Sequence, residues 1–213
     1  MDNLFIGIAG MIGAGKSTLA TGLANHLNIK AYYEPVENNE YLEDFYRDTK
    51  KYSFATQIYL LTKRFQQHQE IIWRAESAVQ DRTIYEDSVF AAMLSESGLM
   101  EERDYRTYIQ LFKQMSNFMC KPNLIIYLDV KPERSMERIK MRNRGVETAI
   151  TLEYLQNLYK HYTEFIDNIS KTVLVISVDY DKFATTEQMA ETILNEYLNH
   201  NLIRKVTAFN PSH

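Results

Sequence analysis

The chain has 213 residues, 45% hydrophobic and 24% charged, with seven glycines, four prolines and one cysteine. That composition suits a single globular domain and excludes a disordered, collagen-like or disulfide-stapled polypeptide. Lys plus Arg number 24 against 28 Asp plus Glu, a net charge of −4, which gives no global reason to bind nucleic acid.

A lone Cys120 cannot close an intrachain disulfide or supply a cysteine-rich metal site, so a reducing compartment is expected. The start, Met1-Asp-Asn-Leu-Phe-Ile-Gly, has no basic segment followed by a long apolar run, and no run of about 18 apolar residues occurs. A cytoplasmic protein with no membrane partner is the expectation.

Taken in order, Leu4–Ala9 reads as a buried strand, and the glycine-rich segment after it opens a helical pattern through Leu19, Leu23 and Leu27. Ala31–Tyr33 is a second short strand, stopped by Glu34-Pro35. A long helix is predicted over 52–73, with Ala55, Ile58, Leu61, Phe65, His68 and Ile72 on its apolar face. Ser77–Asp81 is the third strand, followed by helices at 84–96 and 103–119. Leu124–Asp129 is the fourth strand, followed by helices at 133–142 and 151–169. Val173–Val178 is the fifth strand, and 186–198 the last amphipathic helix. Strands alternating with helices predict a three-layer α/β/α domain with a five-stranded parallel sheet over residues 1–204, leaving 205–213 as a loose tail.

Gly10-Met11-Ile12-Gly13-Ala14-Gly15-Lys16-Ser17-Thr18 matches the G-x-x-x-x-G-K-S/T phosphate-binding loop in its strand–loop–helix setting. Its glycines let backbone N–H groups converge on phosphate oxygens, Lys16 supplies charge to the β- and γ-phosphates, and Ser17 can ligate magnesium. The motif implies a nucleoside triphosphate and leaves kinase, ATPase and GTPase open.

Glu34 and Asp81-Arg82 narrow that choice, because both fall at the carboxyl ends of predicted strands, where an open parallel sheet presents its ligand loops. A carboxylate there can orient or deprotonate a hydroxyl, and an arginine can hold a transferring phosphoryl group. Arg138, Lys140, Arg142 and Arg144 make a basic segment suited to a short lid, about 138–150, that closes over ATP and excludes water.

Together these residues resemble the deoxynucleoside kinase family, particularly its bacterial deoxyadenosine/deoxyguanosine branch. The resemblance runs through the loop at 10–17, Glu34-Pro35-Val36, Leu42 to Tyr46, Gln57, Asp81-Arg82-Thr83 and Arg142-x-Arg144-x-x-Glu147. It implies a P-loop kinase fold, usually a homodimer, that transfers phosphate from ATP to a deoxynucleoside 5′-hydroxyl with Mg2+, deoxyadenosine first and deoxyguanosine or deoxycytidine next. By the same resemblance, Glu34 is the general base and Arg82 stabilises the transferring group. Leu42, Tyr46 and Glu147 belong to the nucleoside site, Tyr46 and Glu147 at the 3′-hydroxyl. Gln57 meets the base edge, with Arg64 and Asp87 beside it. Ser17 and Asp81 serve the metal, directly or through water, and Arg142 and Arg144 close on the phosphates. Feedback by a deoxynucleoside triphosphate is also implied.

Asn38-Asn39 and Ala91 stand where animal members of the family carry aromatic residues, which argues against a tightly stacked base pocket. The histidines share no metal-binding spacing and are expected on helix surfaces, Cys120 is expected to be structural, and helices 52–73 and 84–96 carry the apolar surface for subunit pairing. The competing readings are a nucleoside monophosphate kinase and a non-catalytic nucleotide-gated scaffold.

Overall fold

The computed structural model describes residues 3–36, 39–142, 145–179 and 185–206. Five strands, β1 (Phe5–Ala9), β2 (Lys30–Tyr32), β3 (Ala78–Asp81), β4 (Leu124–Asp129) and β5 (Leu174–Asp179), form one sheet in the order β2-β3-β1-β4-β5. Every pairing is parallel. β1, β3 and all of β4 but its last residue are buried, as expected of strands covered on both faces.

Successive side chains of a strand enter opposite layers. Leu124, Ile126 and Leu128 of β4 pack with α1 (Lys16–Leu27) and α8 (Thr186–Val206). Ile125 and Tyr127 face the other layer, built from α3 (Thr49–Arg74), α4 (Asp87–Glu96), α5 (Glu102–Ser116) and α7 (Leu152–Ile169). Two shorter helices, α2 (Leu42–Arg47) and α6 (Pro132–Arg142), and 3-10 turns at Ile84–Glu86 and Gly145–Ala149 complete the described chain.

Because β2, β3 and β1 are neighbours, the loops leaving their carboxyl ends share one edge of the sheet. That edge receives the glycine-rich loop after Ala9, Glu34 after Tyr32 and Arg82 after Asp81. β1 also makes a close approach there. A Cβ on Gly7 would lie 2.4 Å from Thr83 Cγ2, so only glycine lets the residue after Arg82 pack against the strand.

Several expectations need correction. The helix at 42–47 was not foreseen, since six residues in an acidic stretch carry too little periodicity. In α3 the buried stripe is Ser53, Thr56, Gln57, Leu61, Arg64, His68 and Ile71, largely polar, while Ile58 and Phe65 are only half-buried. His68 is therefore an interior residue rather than a surface one, and its Nε2 accepts the Cys120 N–H at 3.1 Å. Burial lowers its pKa to about 4. His161 is also buried. Cys120, expected to be structural, is exposed. Val89, Phe90, Ala91, Met93 and Leu94 of α4 are spent on the chain's own core and leave little for a partner. α8 extends to Val206, beyond the predicted end at 198, and residues 207–213 of the expected tail lie outside the described chain.

Candidate active site

The loop from Gly10 to Gly15 turns through positive φ at Gly10 (148°), Gly13 (78°) and Gly15 (94°), the last serving as N-cap of α1. Gly13 has no room for a side chain either, because a Cβ would meet Ser135 O of α6 at 3.0 Å. Met11 and Ala14 are buried and shape the loop from behind, while Ile12, Gly13, Gly15, Lys16, Ser17 and Thr18 line the cleft in front. Lys16 is 6% exposed and its Nζ donates to Met11 O at 2.8 Å. Burial, reinforced by the Arg82 charge, brings its pKa down to about 8 against the opposing pull of Asp81 and Glu34.

Ser17 Oγ donates to Asp81 Oδ2, and the other oxygen, Asp81 Oδ1, is buried without a hydrogen-bond partner. A hydroxyl beside an orphaned carboxylate oxygen is a donor set that fits a hard divalent cation. Among the described residues no cluster of three or more His, Cys, Asp or Glu makes a self-contained metal centre.

Glu34 is held by two arginines. Its Oε1 accepts from Arg64 Nη2 at 2.7 Å and from Arg82 Nη1. Burial alone would raise its pKa, but Arg82, Arg64 and Lys16 overcome that and hold the carboxyl at about 2. Arg82 has φ 66°, a conformation that strains a non-glycine residue. Tertiary contacts pin it there. Its N–H donates to Ile8 O at 3.0 Å, its Nη2 donates to Gly10 O at 3.1 Å, and its guanidinium lies 4.7 Å from the Phe90 ring centroid.

Arg64 also pairs with Asp87, and both side chains are 1% exposed. The Arg64–Asp87 pair is thus an interior ion pair rather than the surface contact that sequence spacing alone allows. Asp87 lies behind Arg64 and is not among the residues lining the cleft.

The cleft encloses about 1240 Å³ and runs from the phosphate loop to α3, α2 and the 3-10 turn at 145–149. Leu42, Tyr46, Gln57, Arg64, Arg82, Arg142 and Glu147 of the expected set line it with Glu34. Gln57 is 2% exposed and its Oε1 has no partner within the protein. Burial pushes the Tyr46 hydroxyl pKa well above its ordinary value, and its ring meets Phe45 edge to face at 5.3 Å. Arg142 Nη2 donates to Glu147, and Arg138 Nη1 donates to Ala14 O at 3.3 Å. Arg144 and Asn38 lie outside the described residues.

Some members escaped the sequence reading. Thr56, adjacent to Gln57, buries an unpartnered Oγ1 at the cleft wall, and Phe90 and Tyr154 add ring surface. Glu86, wholly buried, accepts the Gly10 N–H at 3.2 Å and the Tyr162 hydroxyl at 2.6 Å. Burial raises its pKa, the reverse of Glu34. The available signal was a polar stripe on α3 with helical spacing, while Glu86, four residues past Arg82, carries none.

Comparison with known proteins agrees with this geometry. The deoxynucleoside kinase family model matches residues 6–204. The chain is 54% identical over 206 residues to a deoxyadenosine kinase of Dictyostelium discoideum, covering 97% of this chain and 84% of that protein. It is 37% identical over 199 residues to a deoxyadenosine/deoxycytidine kinase of Bacillus subtilis, covering 91% of each. Among solved structures, deoxyadenosine kinase from M. mycoides with bound dATP superposes with a TM-score of 0.81 at 34% identity, covering 91% of this chain and 98% of that one. A sheet edge that sets a triphosphate loop beside a doubly clamped carboxylate, and a match along nearly its whole length, place this chain in the deoxynucleoside kinase family.

Proposed function

We propose that the protein phosphorylates the 5′-hydroxyl of deoxyadenosine with ATP and Mg2+, accepting deoxyguanosine and deoxycytidine less well and thymidine poorly. The observation that carries this reading is Glu34, a carboxylate clamped by Arg82 and Arg64 in the same cleft as the phosphate loop. A neutral hydroxyl suits that carboxylate, whereas a substrate that already bears a phosphate does not. The names of the relatives, deoxyadenosine kinase and deoxyadenosine/deoxycytidine kinase, point the same way.

In this reading the loop N–H groups and Lys16 hold the triphosphate, and Ser17 and Asp81 hold the magnesium. The metal would neutralise charge on the phosphate oxygens. Glu34 accepts a hydrogen bond from the 5′-hydroxyl and orients it in line. Arg82 and Arg64 keep that carboxylate ionised and so able to accept the hydroxyl proton as transfer proceeds. Arg82 follows the charge that moves with the transferring group. Tyr46 and Glu147 receive the 3′-hydroxyl, Leu42 packs on the sugar, and the unpartnered Gln57 Oε1 accepts from an amino-bearing base. Arg64, kept in place by Asp87, lies beside that edge. Arg142 and Arg144 engage the phosphates from the lid.

A cytoplasmic homodimer completes the proposal. No described helix is long and apolar enough to cross a membrane. Trp73 of α3 and Phe118 after α5 are each 77% exposed, which supports pairing along α3 and α5. Deoxynucleoside triphosphates act as feedback inhibitors in this reading, supported by M. mycoides structures with dCTP and dATP bound.

Product analysis with ATP and a panel of nucleosides and nucleoside monophosphates tests the proposal. The expected result is a 5′-monophosphate made fastest from deoxyadenosine. Phosphorylation of a monophosphate, a preference for thymidine, or no product from folded protein would overturn it. Glu34→Gln should lower kcat by roughly 10²–10⁴-fold while ATP-analogue binding persists.

A further inference from the structure

Glu86 lies behind the cleft rather than on its wall. It is fully buried at the end of the 3-10 turn Ile84–Glu86 and lines no part of the cleft. Taking a carboxylate out of water costs several kcal/mol unless charged or hydrogen-bonding partners offset it. Here the partners are specific. Oε1 accepts the Gly10 N–H at 3.2 Å and the Tyr162 hydroxyl at 2.6 Å, and lies 3.4 Å from Arg82 Nε. Arg82 Nη2 in turn donates to Gly10 O at 3.1 Å. Gly10 is therefore gripped through both its N–H and its carbonyl, and Glu86, Gly10 and Arg82 form a closed ring of contacts.

That ring lies where the phosphate loop leaves β1, and its third member is the arginine that also clamps Glu34. We propose that Glu86 is a positioning residue for phosphoryl transfer, acting through Arg82 and Gly10 without touching ATP or nucleoside. The inference rests on the role given above to Arg82. When the triphosphate enters, Arg82 must release part of its hold on Glu34 to reach the transferring group. Glu86 keeps the Nε edge of the guanidinium in place, so Arg82 swings about a fixed edge and the start of the loop stays in register with it. Tyr162 of α7, itself fully buried, holds Glu86 from the core side.

The test compares Glu86→Gln, Glu86→Asp, Arg82→Lys and the Glu86→Gln/Arg82→Lys double variant, each with a thermal melt and separate kcat and KM values. Glu86→Gln keeps an acceptor for Gly10 and Tyr162 and removes the charge facing Arg82. It should lower kcat about 10- to 100-fold with both KM values changed less than about threefold, since positioning acts on the transition state. Glu86→Asp should recover part of the loss, and the double variant should be no slower than Arg82→Lys alone. Should Glu86→Gln fail to fold, Tyr162→Phe serves in its place, with an expected kcat loss of about 3- to 10-fold. Wild-type kcat in Glu86→Gln or its substitute, or losses that multiply independently in the double variant, would overturn the inference. Wild-type kcat in Arg82→Lys would instead remove the role of Arg82 on which it rests.

Discussion

Arg142 Nη2 lies 2.6 Å from both carboxylate oxygens of Glu147. Family resemblance assigns these two residues to different substrates, Arg142 to ATP phosphates and Glu147 to the sugar 3′-hydroxyl. Here each occupies the other, so an Arg142 engaged by phosphate or a Glu147 engaged by the sugar competes with the pair. Arg142 is 36% exposed, which keeps the pair near 1 kcal/mol. Arg142→Gln should therefore tighten deoxyadenosine binding in the absence of ATP by a few-fold while lowering kcat at saturating ATP. Calorimetric titration paired with steady-state turnover checks both halves, and weaker nucleoside binding in the variant would contradict the competition.

Lys16 gives a signature in alkali. With its pKa brought to about 8 by burial, the ligand-free enzyme loses its loop charge as pH rises past that value. kcat/KM for ATP reports the free enzyme and should fall about tenfold per pH unit above pH about 8. At saturating ATP the bound triphosphate holds the proton on Lys16, so kcat should stay level to a higher pH. Coincident alkaline breaks in the two profiles would assign the titration to another group.

Glu34 gives a signature in acid. Its folded pKa of about 2 lies below the ordinary 4.5, so the folded chain binds fewer protons than the unfolded chain between those values. The stability it contributes is complete above pH 4.5 and is lost as pH falls toward 2, roughly 3 kcal/mol in all. Denaturant melts of wild type and Glu34→Gln should differ by about that amount at pH 7 and converge as pH falls toward 2. A difference independent of pH would mean that lost packing, not charge, separates the two.

Gly7 links the sheet to the site. Gly7→Ala sets a methyl group 2.4 Å from Thr83 Cγ2, one residue beyond the strained Arg82, and something must shift. Overpacking of this kind costs about 1–3 kcal/mol, and here the displacement falls on the turn that carries Arg82. Gly7→Ala should lower both Tm and kcat, and adding Thr83→Ser, which removes the clashing methyl, should restore much of each. Failure of that rescue would place the damage elsewhere in the strand.

The layered α/β fold was legible because buried parallel strands announce themselves as short apolar runs, as in Leu124–Leu128. The phosphate loop was legible because its chemistry is local, a few glycines and Lys16-Ser17 within one turn. Glu34 and Arg82 could be seen as strand-end residues and not as partners, since 48 positions separate them and only the adjacency of β2, β3 and β1 brings them together. The face of α3 was misread for a related reason. Apolar periodicity points to the core, but this helix turns Thr56, Gln57 and Arg64 inward because part of what it faces is a cleft, and His68 inward because it packs between Phe5 and Tyr85. Glu86 was invisible, as nothing near it in sequence reveals a carboxylate shared by a loop glycine and a core tyrosine.

The Arg64–Asp87 pair constrains how this chain can change over generations. With both side chains 1% exposed, replacing Arg64 strands the Asp87 carboxylate, and replacing Asp87 leaves the buried Arg64 with Glu34 alone; breaking a buried pair costs about 3–5 kcal/mol. Folded domains hold only about 5–15 kcal/mol in reserve, so such single steps fall near the limit of viability. Arg64 also clamps Glu34, so a change at Arg64 disturbs that carboxylate as well. A tolerated exchange here changes Arg64 and Asp87 together, or follows stability gathered elsewhere.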